Sequence, residues 1–111
     1  MKLQTHRQGQ VMVVAVDADN LDAATSRAFK EQIAMVLETE RKVALDLSRL
    51  QFVDSSGLGV MLSCLRTLNG RGGDLRLFGM TRPVRALFEL VRMHRVFEIY
   101  HSRDEAVRSF Q

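Results

Sequence analysis

The chain has 111 residues, 46% hydrophobic and 26% charged, which suits a single domain spanning residues 1–111 around one ordinary core. No apolar run approaches the roughly 20 residues that span a bilayer, so no membrane-spanning helix is expected. The first residues, MKLQTHRQGQ, lack the apolar stretch of a signal peptide, and the lone Cys64 cannot form an internal disulfide, so a cytoplasmic setting is expected.

The net charge of +3 is uneven. Residues 66–111 carry nine Arg against five acids, +4, while residues 1–65 carry seven Lys/Arg against eight acids, −1. Nucleic-acid binding is not expected from the basic half. Its arginines are dispersed, one per turn or loop, rather than clustered in a run.

In chain order, KLQTHR (2–7) alternates weakly and is expected to pair with VMVVAV (11–16) across a turn at 8–10. The second of these is short and β-branched, as a buried strand is. DADNLD (17–22) reads as an acidic turn. Residues 23–40 place Phe29, Ile33, Val36 and Leu37 on one helical stripe. VALDL (43–47) is a second strand. Leu58, Met61, Leu62, Leu65 and Leu68 then recur at helical spacing up to Asn69–Gly70, a fitting helix end. DLRLFG (74–79) alternates as a strand. TRPVRALFELVRM (81–93) reads as a helix with Pro83 in its first turn and Val84, Leu87, Phe88 and Val91 inward. VFEIY (96–100) is a last strand, and SRDE (102–105) is a capping box opening a short final helix.

Strands alternating with helices imply crossover connections and an α/β fold. The expected architecture is a four- to five-stranded mixed, mostly parallel sheet with helices mainly on one face. A sheet with more antiparallel pairs stays open, since the first two strands suit a hairpin.

The polar chemistry concentrates at FVDSSGLGV (52–60), between a strand and a helix. Ser55 or Ser56 would serve as the N-cap, Gly57 would relax the helix start, and Gly59 would let the first turn pack closely. A cap needs one hydroxyl, whereas this junction has two and an acid. A helix N-terminus tolerates an anion, so a phosphate on a serine there would add about −1.5 to −2 charge without unfolding the domain. A partner fitted to a neutral hydroxyl would then meet a buried, unpaired charge.

Catalytic readings fail. The surroundings of Ser56 do not fit G-x-S-x-G, because Asp54 and Leu58 occupy the outer positions. A dinucleotide fingerprint from Gly57 would need glycine at Leu62, and no G-K-[ST] loop exists. His6, His94 and His101 lack metal-ligand spacing, so neither a metal nor another cofactor is expected.

The run strand–D-L-S-x-L-x-F-V-D-S-S-G-L-G–helix, followed by G-G-x-L-x-L and V-x-x-L-F-x-L, resembles the STAS domain family over nearly the whole chain. That family is shared by sulphate transporters and anti-sigma-factor antagonists. As a free domain, the chain is most similar to the antagonists (anti-anti-sigma factors). The resemblance implies a non-enzymatic regulator that works by partner switching. Unphosphorylated, it would sequester an anti-sigma factor that is also an ATP-dependent serine kinase of histidine-kinase-like fold. Phosphorylation of Ser56, the second serine of the motif, would end the complex, and a metal-dependent serine phosphatase would reset it. Partner contacts implied on the same basis are Asp22, Asp54, Ser55, Ser56, Gly57, Leu58, Gly59 and Val60. The alternative is a non-switching STAS subunit of a transport complex or stress-signalling scaffold. Two departures stand out: Asp19 where the family has glycine, and Met93–His94–Arg95 where glycine often follows the V-x-x-L-F helix.

Overall fold

The computed structural model describes residues 1–111. The hairpin forms as expected: β1 (Lys2–Gln8) and β2 (Val11–Asp17) pair antiparallel, Gln8 opposite Val11. Its two-residue turn places Gly9 at φ +64°, in the left-handed region that tight hairpins require. A two-residue strand β3 (Asn20–Leu21) leads into α1 (Ala23–Thr39), which returns to β4 (Lys42–Asp46). A second two-residue strand, β5 (Phe52–Val53), leads into α2 (Ser55–Gly70). There follow β6 (Asp74–Phe78), α3 (Arg82–Leu90), a 3₁₀ turn at Met93–Arg95, β7 (Glu98–Tyr100) and α4 (Arg103–Ser109).

The main sheet runs β1-β2-β4-β6-β7, and every pair after the hairpin is parallel. Strand alternation divides it into two faces. Val14 and Val16 of β2, Val43 and Leu45 of β4, and Leu75 and Leu77 of β6 join the large core. It is completed by Phe29 and Ile33 of α1, Leu58, Met61, Leu65 and Leu68 of α2, and Val84 and Phe88 of α3. The intervening residues Val11, Val13, Ala44 and Phe78 face the other way, where Ala106 and Val107 of α4 cover them. On that side the Arg76 guanidinium stacks 4.4 Å from the ring centre of Phe110. Helices thus lie mainly on one face, with α4 alone on the other. The capping box that starts α4 forms as written, Ser102 accepting from the Glu105 N–H and Glu105 accepting from the Ser102 N–H, both at 3.2 Å. No helix is long and apolar enough to cross a membrane.

Three local expectations change. The small parallel sheet of β3 and β5 lies where a turn and a junction were expected, because two residues are too few to show a period. Helix α3 ends at Leu90 rather than Met93. Arg92 sits at φ +61°, ψ +25°, a left-handed conformation that stops the helix. Val91, assigned inward by its spacing, is left 41% exposed. Asp19 avoids the left-handed region altogether. Its carbonyl instead accepts the N–H groups of Gln51 (2.7 Å) and Phe52 (3.1 Å), and its carboxylate lies 3.6 Å from Arg49 Nε.

Candidate functional site

The small sheet explains how residues 32 positions apart come to share one surface. Asn20 pairs with Phe52 and Leu21 with Val53, in parallel. Each strand then turns into a helix after a single aspartate, Asp22 for α1 and Asp54 for α2. Asp54 also donates its backbone N–H to the Leu21 carbonyl at 3.1 Å. The two helix starts are therefore side by side.

Both aspartates are N-caps in extended backbone conformation. Asp22 Oδ1 accepts from the N–H groups of Ala24 (3.1 Å) and Thr25 (3.0 Å), and Thr25 Oγ1 accepts the Asp22 N–H at 2.9 Å. The hydrogen bond from the Thr25 N–H, followed by that from its hydroxyl, holds the Asp22 carboxyl below its ordinary range by favouring the charged form. Asp54 Oδ1 accepts from Ser56 N–H (2.8 Å) and Gly57 N–H (3.1 Å).

This geometry corrects the sequence expectation that Ser55 or Ser56 caps α2. The acid caps instead, because its carboxylate reaches two N–H groups at once and carries the charge that the helix dipole favours. Both serines are exposed, in the first turn of the helix, and neither hydroxyl has a hydrogen-bond partner. The caps also change the anion argument. With the Ser56 and Gly57 donors taken by Asp54, a phosphate on Ser56 would project outward beside a carboxylate.

The glycines exchange roles. Gly57 is buried, and a Cβ built on it would lie 2.5 Å from the Leu21 carbonyl oxygen and 2.9 Å from Val53 Cγ1. It is the close-approach glycine that lets α2 begin against the small sheet. Gly59 is exposed with nothing within 4 Å of such a Cβ, so packing does not require it. Leu58 faces the core, while Val60 is half-buried at its edge.

One residue beside the motif escaped the sequence reading. Phe52 is 52% exposed, directly before buried Val53. Exposed aromatics of this kind anchor protein interfaces. The signal was available in strand alternation, since an inward Val53 turns Phe52 outward.

Elsewhere the chemistry is quiet. Cys64 is buried, and burial pushes its thiol up to about 11, far from a reactive thiolate. His6, His94 and His101 are exposed and separate, and no cluster of metal-ligating side chains exists.

Comparison with known proteins agrees with this geometry. The family described as STAS domain matches residues 2–106. The anti-sigma F factor antagonist of Paenibacillus polymyxa is 29% identical over 108 residues, 96% of this chain and 91% of that protein. Among solved structures, an anti-sigma factor antagonist from Mycobacterium paratuberculosis superposes with a TM-score of 0.87 at 22% identity, over 97% of this chain and 92% of that one. The antagonist SpoIIAA matches in both its forms at 19% identity. The TM-score is 0.71 unphosphorylated, over 97% of this chain and 96% of that one. It is 0.72 for the phosphorylated Bacillus protein, over 99% and 100%.

Proposed function

This chain belongs to the STAS domain family, and from that premise we propose that it is an anti-sigma-factor antagonist whose binding is switched by phosphorylation of Ser56. Acting as a single cytoplasmic domain without catalysis of its own, the unphosphorylated form sequesters an anti-sigma factor that doubles as a serine kinase. A metal-dependent serine phosphatase restores that form after phosphorylation. The partner surface is the paired helix start: Asp22 on α1, Asp54, Ser55, Ser56 and Val60 on α2, and Phe52 beside them.

The observation that carries the reading is the division of labour between Asp54 and the serines. Because the acid holds the helix start, the Ser56 hydroxyl is structurally unemployed and open to a kinase. A phosphate there adds charge next to Asp54, which repels a partner fitted to a hydroxyl while no structural hydrogen bond is lost. SpoIIAA supports the same point. Solved structures of its phosphorylated and unphosphorylated forms both match this fold, with TM-scores of 0.72 and 0.71. The family's modified serine is the second of the D-S-S-G pair, which selects Ser56 over Ser55.

The test is incubation with candidate serine kinases, ATP and Mg²⁺, followed by mass mapping of the phosphate. Modification of Ser56 with loss of the kinase complex is expected. Modification outside residues 55–56, or a complex that survives phosphorylation, overturns the switch. A complex indifferent to both Ser56→Ala and Ser56→Asp would mark a constitutive subunit instead.

A further inference from the structure

The side chain of Arg49 crosses a gap between two ladders. The parallel pairing of β2 with β4 ends at Ala15 and Asp46. The pairing of β3 with β5 begins only at Asn20 and Phe52. Between those points residues 16–19 and 47–51 run without a ladder between them. Val16 and Asp17 still pair with β1, but no longer with β4.

Two kinds of tie close the gap. The Asp19 carbonyl accepts the N–H groups of Gln51 and Phe52, at 2.7 and 3.1 Å. Arg49 adds the side-chain tie. Its Nη1 donates to the Asp17 carboxylate, and its Nε lies 3.6 Å from the Asp19 carboxylate. No other side chain makes a hydrogen bond or ion pair between the two segments. Asp19, which stands where the family has glycine, thus supplies the second carboxylate for the guanidinium.

Arg49 and Asp19 are exposed, so water screens the bridge and its contribution to overall stability is small. Its consequence is geometric. Both helix starts of the partner surface hang from the small sheet, Asp22 directly after β3 and Asp54 directly after β5. That sheet has only two residue pairs. Leu21 and Val53 anchor its inner side in the core. On its outer side Asn20 and Phe52 are exposed, and there the Arg49 bridge ties it to the end of β2.

We propose that Arg49, held by Asp17 and Asp19, is a positioning residue of the switch, fixing the spacing of Asp22 and Ser56 that the kinase partner reads. This rests on the reading of those two residues as one partner surface. Arg49 acts through the aspartates rather than by touching the partner, since its charge is already matched by two carboxylates. A guanidinium suits the role because its planar fork addresses two carboxylates at once, which the point charge of lysine does not.

The experiment is a double-mutant cycle between Arg49→Gln and the pair Asp17→Asn with Asp19→Asn, using the full chain and the candidate serine kinase that modifies it. Arg49→Gln should weaken binding and raise KM for phosphorylation by about threefold to fivefold. The value of kcat and the thermal stability should stay near the parent's. In the background lacking both aspartates, Arg49→Gln should cost nothing further. In the ¹⁵N-labelled chain without kinase, Arg49→Gln should shift the amides of both helix starts, Asp22–Thr25 and Ser55–Gly57. Equal losses in both backgrounds would mean that Arg49 touches the kinase, and would overturn the proposal. So would a parent-like KM, a fall in kcat instead, or amide shifts confined to residues 16–19 and 47–51. Those outcomes leave Ser56 phosphorylation standing. Modification of the parent outside residues 55–56 would instead overturn the switch itself, and this proposal with it.

Discussion

The Leu21 carbonyl oxygen and Gly57 are so close that a methyl group on the glycine would stand 2.5 Å from that oxygen. The same carbonyl accepts the Asp54 N–H, so it is fixed from one side and cannot retreat. This contact sets the position of Ser56, one residue earlier on the same turn. Gly57→Ala should cost about 1–3 kcal/mol of stability, as overpacking does, because the obstruction is backbone. Gly59→Ala, two residues on in open space, should stabilise by about 0.5–1 kcal/mol through helix propensity. Urea unfolding of both variants checks the pair, and equal effects would refute the assignment of the close approach to Gly57.

Asp54→Ala removes an N-cap that serves two N–H groups and should destabilise by about 1 kcal/mol. Ser56→Ala removes a hydroxyl without partners and should stay within about 0.5 kcal/mol of the parent. Binding should sort the two differently from stability. Ser56→Ala should hold the kinase partner in the presence of ATP. Ser56→Asp should bind at least roughly thirtyfold more weakly, about 2 kcal/mol. Calorimetric titration with the purified partner measures both.

Phe52→Ala separates surface from core at the site. The side chain is half in solvent, so folding should change by less than about 1 kcal/mol, while an aromatic anchor truncated at an interface costs about 2 kcal/mol or more of binding. A variant that binds as well as the parent would remove Phe52 from the partner surface.

Asp22 makes a pH-dependent contribution. Its carboxyl is held below the ordinary value of 3.8 in the folded chain, so folding favours the ionised form. The resulting stabilisation is fully present above that ordinary value and is lost as pH falls through the lower folded value. A carbon-detected titration of the Asp22 carboxyl should give a midpoint below 3.8. Asp22→Asn keeps a good cap but has no such dependence, so the stability difference between the two proteins should change only in that acidic window.

Arg92→Gly should raise stability. It relieves the left-handed arginine and should gain about 0.5–1 kcal/mol, the strain removed less the freedom that glycine adds to the unfolded chain. Ser26 offers a second stability gain. Its hydroxyl is buried with no hydrogen-bond partner, so Ser26→Ala should be neutral or stabilise by up to about 1 kcal/mol. Thermal unfolding reads out both variants.

The amino-acid sequence by itself determined the alternation of strands and helices, the hairpin, the burial of the large apolar side chains and the polar junction at Asp54–Gly57. Those properties are periodic or local: strand and helix repeats, turn glycines and capping residues act within a few residues of themselves. What only the tertiary structure decided is who does what at the junction. Asp54 rather than a serine caps α2, because once the strand holds its backbone the carboxylate reaches two donors. Gly57 rather than Gly59 is obligatory, because the obstacle is Leu21, 36 positions earlier in the chain. Asp22 joins Ser56 on one surface through the pairing of β3 with β5, and each strand is too short to leave a pattern. The exposed end of α3 was likewise hidden from periodicity, since spacing places Val91 on the inward stripe and only the left-handed turn at Arg92 puts it in solvent. Contacts between residues distant in the chain carry no local signature, so they become visible only when the sheet brings them together.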